Sequence, residues 1–393
     1  LQKEGPKLPK AKTDPIWKRF SQARAKFESG RRAYFATLDS KFKEAKSAKS
    51  KLVEAAEALV EKGGDAAATY RKLQDDWKLA PRAGKAEEVA DLVGFLAVGP
   101  QYQGFASSWG AFGWYAASSF NLEFSLFHGN GQAVKSAYAG EQWDAQAFAH
   151  KLERARQQLE FLGRPAKVLQ PGAYRAYLAP AALEELVSLC CWGFGAQALA
   201  SGGSPLQRLF NGKAELSPLL TMDERIEGGL APAFTAEGPR RPLRLVSQGR
   251  PGERLVSSRS AAEYGLIANG ACSGEYPLSL HMQGGELDEH DVLQRLGTGL
   301  YIGNLWYGNF SDLPAARLTG MTRFATFWVE DGQIQAPVDT MRFDDSLFDF
   351  LGPQLEALTR EPELLLPGGT YGARQTGSMA LPGALLSRFT LTL

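Results

Sequence analysis

The chain has 393 residues, of which 44% are apolar and 22% charged, and a formal net charge of +1. That length supports two or three domains with sizeable cores, and that balance excludes a globally disordered chain. No run of about 18 apolar residues occurs, which argues against a spanning helix, and the basic start "LQKEGPKLPKAK" has no apolar stretch behind it, so no secretion signal is expected.

The charge is unevenly placed. Residues 1–92 carry 21 Lys/Arg against 14 Asp/Glu (+7), and the rest carries 23 against 29 (−6). Two modules are expected, with a boundary between 92 and 93. In the front module Asp14 is a capping residue and Pro15 suits a first helical turn. Trp17, Phe20, Phe27, Tyr34, Leu38 and Phe42 then recur at helical spacing. A second amphipathic run (Leu52, Ala55, Ala56, Leu59) stops at Gly63-Gly64, and a third carries Tyr70, Leu73 and Trp77. "LQKE" at 1–4 matches "LQDD" at 73–76, and "GPKLPKAK" at 5–12 resembles "APRAGKAE" at 80–87. With the "WKRF" that opens a long charged helix, this resembles a bacterial helical repeat family of unknown function. The resemblance implies coiled-coil-like helical hairpins with a second repeat cut short near Leu92. The positive charge reads as a solvated helix surface, with a nucleic-acid or acidic-partner surface as the alternative.

From Val93 the texture becomes β-rich with glycine turns, giving an α+β chain overall. Phe105–Trp109, Phe112–Ala117 and Phe120–Phe127 read as two or three short strands, ended by the turn signal "HGNGQ" at 128–132. Trp143–Leu162 reads as an amphipathic helix, with Phe148, Leu152, Leu159 and Leu162 on one face. "YRAYLAP" at 174–180 is a strand. "AALEELVSLCCWGFGAQALA" is a mostly apolar core helix of about 20 residues. Strands follow at Leu243–Val246, Gly265–Ala268 and Leu278–Met282. Thr322–Trp328 and Gln333–Pro337 make a hairpin around "EDG". "GLYIGNLWYGNFSD" at 299–312 reads as a strand end, Leu300–Ile302, that runs into glycine and asparagine turns.

That segment and its continuation, "LPAARLTGMTRFATFWVEDGQIQAPVDTMRFDDSLFDFLG", strongly resemble the C-terminal domain of the TldD/PmbA metallopeptidase family. "AYAGEQWD" (137–144) and "VLQPGAYRAYLAPAALEELVSL" (168–189) fit the same family, so the resemblance covers residues 93–393. The family's usual α/β domain ahead of this region is replaced here by the truncated helical repeat. The resemblance implies a cytoplasmic member of a paired complex that degrades unfolded peptides. The TldD-type subunit holds zinc with an HExxxH helix and a downstream cysteine. The PmbA (TldE) type builds the rest of the chamber, and this chain looks like that type.

The residues agree with that assignment. Zinc takes about three Cys, His or carboxylate ligands. By the resemblance, Glu184 stands where the first His would be, Glu185 where the base would be, and Leu189, which cannot ligate, where the second His would be. The two glutamates read as a solvated helix start. His128, His150, His281 and His290 read as surface or satisfied histidines, Cys190-Cys191 as buried and inert, and Cys272 as a loop thiol with no evident base. Neither a catalytic residue nor a metal ligand is therefore expected in this chain, and zinc is expected in a partner subunit. The expected partners are a TldD-type subunit or further copies of the chain, with unfolded peptide as substrate; nucleic acid is the alternative and no membrane is expected. Asn304, Trp306, Tyr307, Asn309, Thr322, Arg323 and Arg342 are the candidate peptide-binding or interface residues. The two arginines either fork onto peptide carboxylates and carbonyls or pair with Asp312, Asp344 or Asp345.

Overall fold

The computed structural model describes residues 91–106, 112–369 and 374–392, together with Gln22 alone. The chain divides into two compact units, residues 1–86 with 106–110, and residues 87–105 with 111–393. The helical hairpins expected over 1–92 lie outside the described residues apart from Gln22, which is helical, and Asp91 and Leu92, which already belong to a strand.

β1 (Asp91–Ala106), β2 (Phe112–Phe127) and β3 (Ala133–Gly140) form a three-stranded sheet in that order. The short strands expected between 112 and 127 are one 16-residue strand. Its first half alternates exposed and half-buried residues, whereas Ser119, Phe120 and Asn121 are buried in succession, and this change of pattern mimics a break. α1 (Ala145–Leu162) is capped by Asp144, whose carboxylate accepts from the Gln146 and Ala147 amides at 2.8 and 3.1 Å; such a cap contributes about 1 kcal/mol. Leu152, Ala155, Leu159 and Leu162 recur on one face and pack with Phe124, Leu126, Val134 and Phe327.

β4 (Gly172–Leu178) leads into α2 (Pro180–Cys190). The single 20-residue helix expected here is broken. A 3-10 turn covers Cys191–Phe194, Gly195 is extended, and a short helix covers Ala196–Ala200. Gly195 forms a parallel bridge with Leu255, and a Cβ on it would meet Glu275 at 2.9 Å. A packed neighbour thus overrides the helical spacing.

β5 (Met222–Glu224), β6 (Phe234–Thr235), β7 (Gly238–Pro239), β8 (Leu243–Ser247), β9 (Arg250–Pro251) and β10 (Ser279–Met282) follow. No strand forms at 265–268; Gly265, at φ 65°, is the left-handed cap of the helix Ser258–Tyr264. The last third holds β11 (Gly299–Asp312), β12 (Arg317–Glu330), β13 (Gln333–Pro337), β14 (Arg342–Ser346), β15 (Leu355–Leu358), β16 (Glu363–Leu365), β17 (Ser378–Leu381) and β18 (Ala384–Leu391). Asp331 (φ 50°) and Gly332 (φ 74°) make the tight reversal between β12 and β13.

One sheet runs β16-β17-β10-β5-β8-β9. In the other, the pairings β4–β18, β18–β14, β14–β12, β12–β11 and β11–β4 return to their start, so five strands close into a ring. Leu178, Leu186, Leu300, Phe343, Leu386 and Phe389 belong to one core cluster. Closure removes free edges from these strands.

Candidate functional site

β11 is the whole of "GLYIGNLWYGNFSD". The expected run of turns is a continuous 14-residue strand paired with β12. Its register shifts three times, between Ile302 and Asn304, Trp306 and Asn309, and Phe310 and Asp312. Each bulge inserts an extra residue and flips the inside–outside alternation. The glycines serve these irregularities. A Cβ on Gly303 would meet the Ala325 carbonyl at 2.7 Å, and one on Gly308 would meet Leu189 at 2.9 Å. Two aromatic residues at irregular positions have left-handed backbones, Tyr307 (φ 60°) and Phe324 (φ 55°). Such conformations cost about 1–3 kcal/mol and cluster at binding sites.

This backbone gathers several of the expected residues. Asn304 pairs in register with Arg323, Trp306 with Met321, and Met321 with Arg342. The Arg323 guanidinium lies 4.1 Å over the Trp306 ring, and Tyr307 sits 5.4 Å from the same ring. Trp306 is 44% exposed and Tyr307 73%. Arg342 donates from Nε to the Thr319 hydroxyl at 3.2 Å.

Neither arginine takes the acidic partners considered for it. Asp344 pairs with Arg317, Asp345 accepts from the Ser346 amide and the Thr390 hydroxyl, and Asp312 accepts from the Ala315 amide. Asn309 is exposed and accepts from the Phe310 amide. Thr322 differs from the rest: it is fully buried and its hydroxyl accepts from the Met341 amide at 2.9 Å, so it ties two strands together.

Further along β11, Asn304 and Tyr301 line a small cleft with Arg154, Gln158 and the Lys151–Glu363 ion pair (2.6 Å). Tyr301, Arg154 and Gln158 also line a cavity of about 520 Å³ whose wall includes Tyr177, Phe161, His150 and His290. Gln158 donates to the Tyr301 hydroxyl at 3.2 Å, and the Tyr177 and Tyr301 rings lie 5.4 Å apart. Burial raises both phenols above their ordinary value. This cavity was not foreseen in the sequence. The parallel register that sets Tyr301 beside Tyr177 creates it, and spacing along the chain carries no sign of it.

The α2 helix packs against β11. Glu185 and Glu184 are half-buried, which corrects the expected solvated helix start. The Glu185 carboxylate accepts from the Gly308 amide at 2.8 Å. Burial pushes the Glu184 carboxyl up to about 7, with Glu185 and Glu123 adding to the effect and Lys135 opposing it. A metal would need several ligands converging here. Leu189 packs at Gly308 instead, Glu185 is held by a backbone amide, and among the described residues no group of three or more His, Cys, Asp or Glu is placed to hold an ion. These residues do not fit zinc. Burial pushes the Cys191 thiol up to about 12 and raises Cys190 too, which keeps both from acting as thiolates.

Among the described residues no helix is long and apolar enough to cross a membrane. The family model for the PmbA/TldA metallopeptidase C-terminal domain matches residues 171–393, and that for DUF349, a domain of unknown function, matches residues 15–86. Metalloprotease PmbA of Escherichia coli O157:H7 is 28% identical over 218 residues, which are 51% of this chain and 47% of that protein. The chain thus spans about half the length of that curated relative. TldE from Thermococcus kodakarensis is similar in structure (TM-score 0.65, 16% identity, 76% of this chain and 69% of that one). So is a Thermotoga maritima protein described as a candidate DNA gyrase modulator (TM-score 0.66, 16% identity, 79% and 71%). At such identity the likeness concerns the fold.

Proposed function

The chain belongs to the PmbA/TldD metallopeptidase family, and from that premise we propose that it is a TldE-type subunit that holds extended peptide while a zinc-bearing TldD-type subunit cuts it. The observation that carries this reading is the outward face of β11 and β12, where Trp306, Tyr307 and Arg323 are presented and, among the described residues, no acidic side chain pairs with the arginine. An extended peptide exposes a carbonyl and an amide at every residue. The Asn304 side chain complements either group. The guanidinium of Arg323 forks onto carbonyls or a carboxylate, and its stacking on Trp306 holds it oriented at little entropic cost. Trp306 and Tyr307 cover apolar side chains with their faces and keep a polar edge to water. The α2 helix supports this wall through the Glu185–Gly308 hydrogen bond.

The test has two arms. A fluorescently labelled unfolded peptide is titrated with the chain: Trp306→Ala and Arg323→Ala should each weaken binding about 10-fold, on the order of 1.4 kcal/mol, with thermal midpoints unchanged within a few degrees. Unaltered affinity in both variants sinks the wall as a binding site. In the second arm, a TldD-type subunit should co-purify with the chain, and peptide cleavage should need both. Stoichiometric zinc and cleavage by the isolated chain would overturn the assignment of roles.

A further inference from the structure

The peptide wall leaves unused the cavity of about 520 Å³ that Tyr301 and Tyr177 line. That volume falls within the roughly 300–1,000 Å³ of small-molecule sites. The floor is apolar and aromatic. Tyr177 and Val292 are buried, and Tyr301, Leu293 and Ile334 are half-buried against the same core cluster. Phe161 adds a wall and stands edge-on to Phe327, with ring centroids 6.2 Å apart.

The exposed lining residues mark the mouth. His150, Glu153 and Gln157 lie on α1, and Glu289 and His290 on the 3-10 turn Glu289–Asp291, within the acidic run Asp288-Glu289-His290-Asp291. Two carboxylates, Glu153 and Glu289, thus line the cavity against one guanidinium, Arg154, and that guanidinium is already bonded to Glu289. Arg156 faces Glu153 at 3.4 Å and is not part of the wall. Arg164 stacks on Phe161 at 4.4 Å and donates to the Ile334 and Gln335 carbonyls. Burial keeps the two phenols neutral.

We propose that this cavity binds an organic ammonium ion carried on an aromatic or aliphatic body. A phosphate or carboxylate meets two carboxylates here and no uncommitted cation among the described lining residues. A hydrocarbon without a polar head strips water from the rim carboxylates and returns no hydrogen bond. An ammonium brings three donors for the carboxylates and the tyrosine hydroxyls, and aromatic rings attract its charge. Its apolar body covers the floor. A free amine and the amine of a peptide share this chemistry. The site stands apart from Trp306 and Arg323, so it does not depend on the peptide reading.

Calorimetric titration of the full chain with three indoles tests it. Tryptamine should bind. Tryptophol, with a hydroxyl in place of the ammonium, should bind about 10-fold more weakly, and indole-3-acetate about 100-fold. Glu289→Gln, at an exposed position, removes one negative charge and releases Arg154. It should weaken tryptamine about 10-fold and strengthen indole-3-acetate, whereas a merely disturbed cavity would weaken both. Gln157→Trp, exposed on α1, should obstruct all three. Adding the unfolded peptide then separates the two sources of amine: displacement of tryptamine assigns the ammonium to peptide, retention assigns it to a free amine, and either supports the site. The proposal is overturned if tryptamine fails to bind up to about 5 mM, or if the three indoles bind equally. It is equally overturned if Glu289→Gln leaves the preference for tryptamine unaltered, or if Gln157→Trp leaves its affinity unaltered.

Discussion

Glu184 keeps its proton to about pH 7 because it is half-buried and faces Glu185, Glu123 and Glu363, with Lys135 as the opposing charge. A carboxyl raised in the folded state favours folding fully below its unfolded value, and that contribution is lost as pH rises through the folded one. For Glu184 the window runs from about 4.5 to about 7. Glu184→Gln should therefore be neutral near pH 4 and stabilising by up to about 3 kcal/mol at pH 8, read from urea unfolding at both values. Equal effects at the two pH values would place the cause elsewhere. Glu224 and Arg240 form a buried ion pair. Both are about 3% exposed, and the carboxylate also accepts from the Leu278 and Ser279 amides at 3.1 and 3.0 Å. Arg240 reaches the Pro232 and Arg225 carbonyls. Arg240→Met leaves a buried carboxylate without its counter-charge and should cost about 3–5 kcal/mol, seen as a lower urea midpoint with an unchanged slope.

The strand β11 explains why its own sequence misleads. Half-buried strands are recognised by strict alternation, and two of the three bulges place their extra residue in β11 and reset that alternation within 14 residues, while the first places it in β12. Gly303 and Gly308 read as turn formers but are close-approach positions inside a strand. Gly308→Ala puts a methyl 2.9 Å from the Leu189 Cδ1 and 3.0 Å from the Glu185 carboxylate, so both side-chain ends must shift and the Glu185–Gly308 hydrogen bond is disturbed. We expect about 1–3 kcal/mol of destabilisation, part of it recovered when Leu189→Ala is added; no recovery would refute the packing account. The Asp144-capped helix, the Gln333–Pro337 strand and the reversal at Asp331-Gly332 all rest on neighbours in sequence. The adjacency of Trp306 and Tyr307 was equally plain, whereas Arg323 over Trp306 needed the β11–β12 register. The Tyr177–Tyr301 cavity needed two strands more than a hundred residues apart, and the break at Gly195 needed Glu275.

The ring of five strands depends on β18, which lies between β4 and β14 and also pairs with β15. Leu385, Leu386, Phe389 and Leu391 are all buried. Removing residues 384–393 opens the ring at two edges and exposes these contacts. The truncated chain should lose its cooperative thermal transition and bind a hydrophobic dye; a retained transition within about 5 °C, roughly 4 kcal/mol for a chain of this size, would show the ring to be dispensable.

Closure also sets a timetable for the ribosome. β4 and β18 are adjacent in space but about 200 residues apart in synthesis, which at about 5–20 residues per second is roughly 10–40 s of translation. For that interval β4 has left the exit tunnel while its eventual neighbour does not yet exist. The strand Gly172–Leu178 spends those seconds with the edge that β18 will cover still bare, even after β11 has been made for the other edge, and any other nascent strand can occupy it. Yield of the soluble chain should accordingly respond to elongation rate and to chaperones that shield nascent strands, even though the finished ring offers them nothing to hold.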